Sequence, residues 1–173
     1  MGDRSNIVIE DRGERVYLYG HWMGAKSIGH AIHGLESSRT ADGSFLARIV
    51  FCSMVGRNTE GETGFGISAS ITDNQYPVLV IHADDEPSVW FEDREGTRVS
   101  RVLSREEFLE RAARSSWQQC DPFDPGSDHD AHAWPFEPFL EDAPDRVLAD
   151  WVRDTKWPQL PTSYRGGSMA DPA

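Results

Sequence analysis

The stretch VYLYGHWMGAKSIGHAIHGL, from Val16 to Leu35, contains the change of pattern that decides the fold. Its first residues are aromatic or β-branched, which is typical of a half-buried strand. In the run from Ser5 to Asp11, Ile7 and Ile9 stand at alternate positions, so the two segments predict a hairpin that turns at Arg12-Gly13. In the second half the apolar spacing becomes i, i+4, i+7, which predicts a helix over residues 25–37. This spacing is carried by Ile28, Ile32 and Leu35.

Three of the six histidines lie in this stretch, at His21, His30 and His33. His30 and His33 are three residues apart, so they would be neighbours on the surface of a helix. Two imidazoles at this spacing can share a divalent metal ion, and His21 is the nearest further ligand. The H-x-x-H pattern lacks the glutamate of the zinc-protease motif, so solvated surface histidines are the alternative interpretation.

A second helix is predicted over residues 43–55, with Asp42 as its N-cap. It is apolar over most of its circumference, which is the pattern of a buried helix. We therefore expect it at the centre of the core, with Cys52 as a buried residue. Its apolar positions are Phe45, Ile49 and Cys52 on one face, with Leu46 and Val50 beside them.

Short alternating segments follow this helix and predict strands joined by tight turns. These strands are expected over residues 64–71, 77–81, 88–91 and 97–103. Short connections favour antiparallel pairing between successive strands. Ser104 and Glu107 then form a capping box, which predicts the start of a helix over residues 105–116.

Residues 117–143 are rich in proline, aspartate and histidine, and we interpret them as a flap or excursion. A C-terminal helix packed on the core is predicted within residues 144–157, and residues 158–173 have the composition of a tail. The chain is therefore predicted to be a single-domain α+β protein with its core in residues 1–116. Its antiparallel sheet of five or six strands would pack against three or four helices.

The composition limits the kind of protein that this chain can be. It has 173 residues, 38% of them hydrophobic and 27% charged, which is ordinary for a globular domain. The absence of a bilayer-length apolar run and of a leader favours a cytoplasmic protein with no membrane partner. The net charge of −12 opposes binding to a phosphate backbone and suits either a solvated surface or a basic partner. Two distant cysteines imply no disulfide framework.

A second histidine cluster lies in the proline-rich segment, where Asp128, His129, Asp130 and His132 fall within five residues. Imidazole and carboxylate groups are ligands for borderline divalent metals and can serve a hydrolytic site. The cluster does not match the calcium-loop pattern, and a hydrated acidic loop is the alternative. The metal ligands suggested by both clusters together are His21, His30, His33, Asp128, His129 and His132.

No nucleophile elbow, phosphate loop or dinucleotide fingerprint occurs in the chain. Aromatic residues on the predicted strands could instead line a ligand pocket, because pockets are mostly apolar with a few convergent polar groups. A role in the core is the alternative for the same residues. The candidate pocket residues are Arg4, Tyr17, Tyr19, His21, Trp22 and Trp90.

The N-terminal region contains the motifs Met1-Gly2-x-Arg4-Ser5 and Tyr19-x-His21-Trp22. Over about the first 25 residues, these motifs resemble small proteins of bacteriophages and actinobacteria. The family continues with Asp-Gly-Tyr-Pro, whereas this chain has Met23-Gly24-Ala25-Lys26. The resemblance implies a phage accessory role or a host-interaction role and identifies no catalytic residue.

These observations lead to three functional hypotheses. The first is a non-enzymatic binding protein that recognises a protein partner or small ligand through an acidic surface or the aromatic pocket. Its support includes the aromatic residues of the proline-rich segment, which we expect to be exposed. The second is a metal-dependent hydrolase with a divalent ion as cofactor. Its ligands would be His21, His30 and His33, and Asp128 or His132 would complete the site from the flap. The third is a nucleic-acid mimic whose acids imitate phosphate spacing. A homo-oligomer is compatible with each.

Overall fold

The computed structural model describes residues 4–21, 23–56, 64–115, 117–119 and 135–140. Six strands and four helices occur in these residues. The strands are β1 (Ser5–Asp11), β2 (Glu14–Gly20), β3 (Phe65–Ser68), β4 (Val78–His82), β5 (Ser88–Glu92) and β6 (Leu103–Ser104). The helices are α1 (Lys26–Leu35), α2 (Gly43–Val55), α3 (Arg105–Arg114) and α4 (Glu137–Leu140), and Trp117–Gln119 form a short 3-10 turn.

The strands form one sheet in the order β3-β2-β1-β4-β5-β6. The α+β class predicted from the sequence is confirmed, but the prediction of a purely antiparallel sheet is wrong at one pairing. The central strands β1 and β4 run parallel, whereas every other neighbouring pair is antiparallel. A parallel pairing needs a long crossover, and the chain from β2 through α1, α2 and β3 supplies it.

The β1–β2 hairpin has the predicted position and turn. Asp11 pairs with Glu14, and the two residues between them have positive φ angles, 51° at Arg12 and 84° at Gly13. Two such residues form the kind of turn whose twist matches that of the flanking strands. Glycine adopts this conformation without steric cost, so its position sets the register of the whole hairpin.

One face of the sheet packs against the helices and forms the main core. Alternate strand residues point to this face because successive side chains of a strand lie on opposite sides. The buried strand residues on it include Ile7, Ile9, Leu18, Leu79, Ile81, Val89 and Phe91. Helices α1 and α2 approach closely at Gly34, where an added Cβ would lie 2.5 Å from Val50 Cγ2. A glycine that weakens the isolated helix is therefore required by helix packing.

Helix α2 begins at the predicted cap, because the Asp42 side chain accepts a hydrogen bond from the Phe45 backbone N–H. The prediction that Cys52 is a core residue is wrong, since Cys52 is exposed. The buried face of α2 instead contains Gly43, Leu46, Ala47, Val50, Met54 and Val55. Helix α2 therefore packs on the sheet by one face and is not enclosed on all sides.

Helix α3 confirms the predicted capping box. The Ser104 side chain accepts from the Glu107 backbone N–H, and the Glu107 side chain accepts from the Ser104 backbone N–H. The strand predicted just before it is much shorter than expected. Only Leu103–Ser104 form β6, with one isolated bridge between Glu92 and Arg98.

Residues 135–140 lie against the core, although they belong to the predicted flap. Phe136 and Phe139 are almost completely buried, so the expectation of exposed aromatic residues is wrong at these two positions. The Phe139 ring lies 5.2 Å from that of Phe91 and 5.1 Å from that of Phe108, measured between centroids.

The predicted C-terminal helix, the predicted tail and most of the predicted flap lie outside the described residues. Among the helices that the structure does describe, none combines the length and the apolar character needed to cross a membrane.

Candidate functional site

The sheet face opposite the helices carries a second, smaller apolar cluster. Its buried members are Val8, Val78 and Val80, from the two central parallel strands. Tyr17, Trp90 and Ile71 are partly buried against them. We call this side of the sheet the second face. Charged side chains from the sheet lie among these residues, so the second face is a candidate binding site.

Arg15 is the centre of an ionic network on the second face. Its two terminal nitrogens donate to the Glu92 carboxylate in a bidentate pair, at 2.8 and 2.9 Å. Its Nε donates to Glu10 Oε2 at 2.7 Å. One guanidinium therefore holds two carboxylates, and the geometry matches the planar fork that arginine offers to such groups.

The network extends across the central strands. Arg15 lies on β2 and Glu92 on β5, and the strands between them are β1 and β4. The two side chains must meet above those strands, on the side where Val8 and Val80 lie. The Glu92 side chain is only 4% exposed and the Arg15 side chain 28%. The ion pair thus covers the second apolar cluster as well as joining distant strands.

Because the network is largely buried, the charged state of each of its residues depends on its ionic partners. The hydrogen bonds to Glu92 raise the pKa of Arg15 well above its usual value, burial opposes this effect, and the bond to Glu10 adds to it. Arg15 is therefore always charged. An ionised Glu92 with this little exposure needs such a partner, because an unpaired buried carboxylate is costly.

Trp90 and His82 complete the surroundings of the two carboxylates. The Trp90 indole N–H donates to Glu92 Oε1 at 2.7 Å, so both oxygens of Glu92 accept hydrogen bonds. His82 Nδ1 lies 3.5 Å from Glu10 Oε1 and makes no hydrogen bond, although it is buried. The His82 and Trp90 rings are 6.5 Å apart. Within the described residues, Glu10 Oε1 is therefore the carboxylate oxygen of this network that accepts no hydrogen bond.

The candidate pocket predicted from the sequence is divided between two parts of the sheet. Tyr17 and Trp90 contact the same apolar cluster of the second face. Tyr19 lies towards the far end of β2, where its hydroxyl is 3.2 Å from His21 Nδ1. Arg4 forms an ion pair with Asp73 in the loop before β4. Trp22 lies outside the described residues.

The sequence did not predict the four charged or titratable residues of the second face, which are Glu10, Arg15, His82 and Glu92. A signal for one contact was present, since the predicted hairpin register places Glu10 opposite Arg15. Oppositely charged residues at facing positions form cross-strand pairs. The contact with Glu92 carries no such local signal.

The histidines proposed as metal ligands have separate surroundings. On α1, His30 Nδ1 lies 2.9 Å from Ser53 Oγ of α2, whereas His33 is exposed. His21 contacts Tyr19 at the end of β2. No group of three His, Cys, Asp or Glu that could hold a metal ion occurs within the ranges that the structure describes. The other suggested ligands, Asp128, His129 and His132, lie outside those ranges.

We expect the stability of the fold to decrease between pH 6.5 and pH 4 because of His30. Burial, with smaller effects of Lys26 and His33, lowers the pKa of His30 from 6.5 to about 4. As the pH falls through this range, protonation of His30 favours the unfolded chain. The contribution of His30 to stability is therefore complete above pH 6.5 and is lost towards pH 4. The loss should be about 2 kcal/mol, since each pKa unit corresponds to about 1.4 kcal/mol and His30 keeps some contact with water.

Urea unfolding across this pH range measures the effect. The variant His30→Gln should lose the part of the pH dependence due to this group, whereas His33→Gln, on the same helix but exposed, should keep most of it. An unchanged pH dependence in His30→Gln would contradict the assignment.

Comparisons with other proteins place the chain in no family. No family model matches it, and no curated protein and no solved structure shows significant similarity to it. The class defined here is therefore structural: an α+β domain with a mixed six-stranded sheet, helices on one face and an ionic network on the other.

Proposed function

We propose that this protein is a binding protein whose second face recognises a basic segment of a partner protein, one that presents arginine or lysine side chains. The observation that carries the proposal is Glu10 Oε1, a carboxylate oxygen beside His82 that lacks a normal hydrogen bond. A cationic side chain placed there would add a charge-assisted bond to an existing ionic network. The N-terminal resemblance is the only support for a partner that comes from the host of a bacteriophage.

The aromatic residues of the second face suit the same kind of partner. Tyr17 and Trp90 are partly buried, so each keeps part of its ring accessible beside the carboxylates. A lysine or arginine side chain can stack on such a ring while its charge faces a carboxylate. Tryptophan and tyrosine anchors in partly desolvated surroundings commonly carry much of the binding energy of an interface.

The acidic charge around the second face supports attraction of a basic partner. The turn that follows His82 contains Asp84, Asp85 and Glu86, all three exposed. Since the chain carries a net charge of −12, these groups belong to a field that accelerates encounter with cations and depends on salt.

The arrangement favours recognition over proton transfer. Glu92 Oε1 accepts hydrogen bonds from Arg15 and Trp90, Glu92 Oε2 accepts one from Arg15, and Glu10 Oε2 accepts one from Arg15. A general base must have a free position within reach of the proton that it removes, and Glu92 has none. Carboxylates that hold a permanent guanidinium are better suited to fixing the shape and charge of a surface.

Charge reversal in the turn after β4 tests this proposal. The triple variant Asp84→Lys, Asp85→Lys, Glu86→Lys should bind arginine-rich and lysine-rich model peptides at least about tenfold more weakly than the natural chain, because it replaces attraction by repulsion. Calorimetric titration at low and at physiological salt measures this, and the affinity of the natural chain should fall with salt.

A matched control changes the same number of acids away from the second face. Glu36, Glu106 and Glu110 are exposed on helices or next to them, on the other side of the sheet. Their triple reversal to lysine should weaken binding by much less. Equal losses of affinity in the two triple variants would show only a general charge effect and would contradict the proposal. An affinity unchanged by reversal at Asp84, Asp85 and Glu86 would contradict it as well.

A further inference from the structure

The strand β3 forms one end of the sheet that the described residues build, and its own residues offer neither charge nor proline to protect this edge. The segment from Gly64 to Thr72, GFGISASIT, contains no charged residue and no proline. Ile67 in its centre is 61% exposed. Natural edge strands are commonly guarded by charges, prolines, bulges or very short length, because an open edge is a template for pairing with another chain.

The opposite end of the sheet has such protection. Strand β6 consists of Leu103–Ser104 alone and is flanked by Arg101 and Arg105. Val102 beside it is the other large apolar residue with high exposure in the described part of the chain, at 41%. The two ends of the sheet thus differ in strand length and in charge, although each presents one apolar side chain.

The pairing of β2 with β3 shows which backbone groups of β3 face outwards. His21 pairs with Gly64 by a backbone hydrogen bond, from His21 N–H to Gly64 C=O, at 2.7 Å. In an antiparallel pair, hydrogen-bonded residues alternate with residues whose N–H and C=O groups point away. In this register Gly66 and Ser68 also face β2. The N–H and C=O groups of Phe65 and Ile67 therefore point away from the sheet.

We propose that two copies of this chain pair through β3 in antiparallel orientation, about a two-fold axis at Ile67. In this arrangement Ile67 of each copy exchanges both backbone hydrogen bonds with Ile67 of the other, and Phe65 pairs in the same way with Ala69. An isologous contact of this kind brings one patch against itself, which is the commonest symmetry of dimers. The proposal is independent of the basic partner proposed above.

The absence of charge along this edge suits a second copy as its occupant. Two chains that each carry −12 repel one another over most of their surfaces. The uncharged segment from Gly64 to Thr72 is a place where they can approach without bringing like charges together. Pairing also removes the exposed Ile67 from water, with its counterpart from the other copy as neighbour. The resulting sheet would be continuous through both copies and would carry a second face in each.

Sedimentation equilibrium of the full chain over a concentration series tests the proposal. The natural chain should reach twice the monomer mass of 19.4 kDa. The variant Ile67→Lys should stay at the monomer mass, because it places two cations against each other at the axis. The control Val102→Lys introduces the same charge at the protected end of the sheet and should form the dimer as the natural chain does. A natural chain that is monomeric at every concentration would overturn the proposal.

Thiol cross-linking tests the position of the axis. In a background of Cys52→Ser and Cys120→Ser, the variant Ile67→Cys should form a covalent dimer with a short bis-maleimide, and Val102→Cys should not. A dimer that survives Ile67→Lys, or one that Ile67→Cys does not cross-link, would place the contact elsewhere and would equally overturn the proposal. Because Ile67 is exposed, neither substitution is expected to alter folding, which circular dichroism checks.

Discussion

The variant Arg15→Met is expected to lose about 3 kcal/mol of the free energy of unfolding, although Arg15 is a partly exposed charged residue. Removal of its guanidinium leaves the Glu92 carboxylate, which is 4% exposed, with the Trp90 indole as its remaining donor. Breaking a buried pair by deleting one partner is costly because the other charge stays buried without compensation. Urea unfolding at neutral pH measures the loss.

Two further variants separate this effect from the general loss of a charge. Arg94 forms an ion pair with Glu95 in which both side chains are 63% exposed, so Arg94→Ala should change stability by less than about 1 kcal/mol. The double variant Arg15→Met, Glu92→Met should recover most of the stability lost in the single variant, because an apolar pair over Val8 and Val80 leaves no buried charge. Similar losses for Arg15→Met and Arg94→Ala would contradict the burial of the network.

The variant Phe139→Ala is expected to lose about 3–4 kcal/mol. The Phe139 side chain is 1% exposed and contacts the rings of Phe91 and Phe108, so truncation leaves a cavity in the main core. The result bears on the organisation of the whole chain, since it would show that residues 135–140 are needed for the stability of the sheet and α3. Thermal and urea unfolding both measure it.

Its control is a truncation at an exposed apolar residue. Val102→Ala, at a side chain that is 41% exposed, should change stability by no more than about 0.5 kcal/mol. A loss below about 1 kcal/mol in Phe139→Ala would contradict the place of residues 135–140 in the core.

The elements that the sequence predicted correctly are those determined by near neighbours in the chain. The β1–β2 hairpin depends on two residues at its turn, and the α3 capping box on two residues three positions apart. The parallel pairing of β1 with β4 was not predicted. It joins Ile7 to Leu79, and no local pattern distinguishes this neighbour from the next strand along the chain.

The error at Cys52 has a related cause. Helix α2 has apolar residues at most of its positions, so its periodicity does not determine which face is buried. Packing against α1 and the sheet determines it: Val50 approaches Gly34 closely, and Cys52 lies on the exposed side. The choice of face thus depends on elements distant in the chain.

The candidate site was predictable only in part. Tyr17 and Trp90 were identified as possible pocket residues, and the structure brings both to the second face. The contact that defines the network joins Arg15 to Glu92, 77 positions apart, and depends on the order of four strands. Sequence patterns indicate which side chains share a face of a strand, but the contacts between distant strands follow from topology.

The ionic network distinguishes the second face of the sheet from the face that packs against the helices. Residues on the helix side of the sheet are apolar and account for the main core, whereas the second face combines valines, aromatic rings and paired charges. A dimer through β3 would place two such faces on one continuous sheet. A partner with repeated basic segments would then bind both copies at once, with higher avidity than a single face provides.

Nuclear magnetic resonance titration of isotope-labelled protein with an arginine-rich peptide shows most directly whether the second face binds a basic partner. The Trp90 indole N–H and the Arg15 Nε–H both donate to carboxylates of the network, so they report on its occupation. Both signals are expected to shift together and saturate, while the signals of His30 and Ser53 between α1 and α2 stay unchanged. Shifts confined to the helices, with the Trp90 and Arg15 signals unmoved, would contradict it.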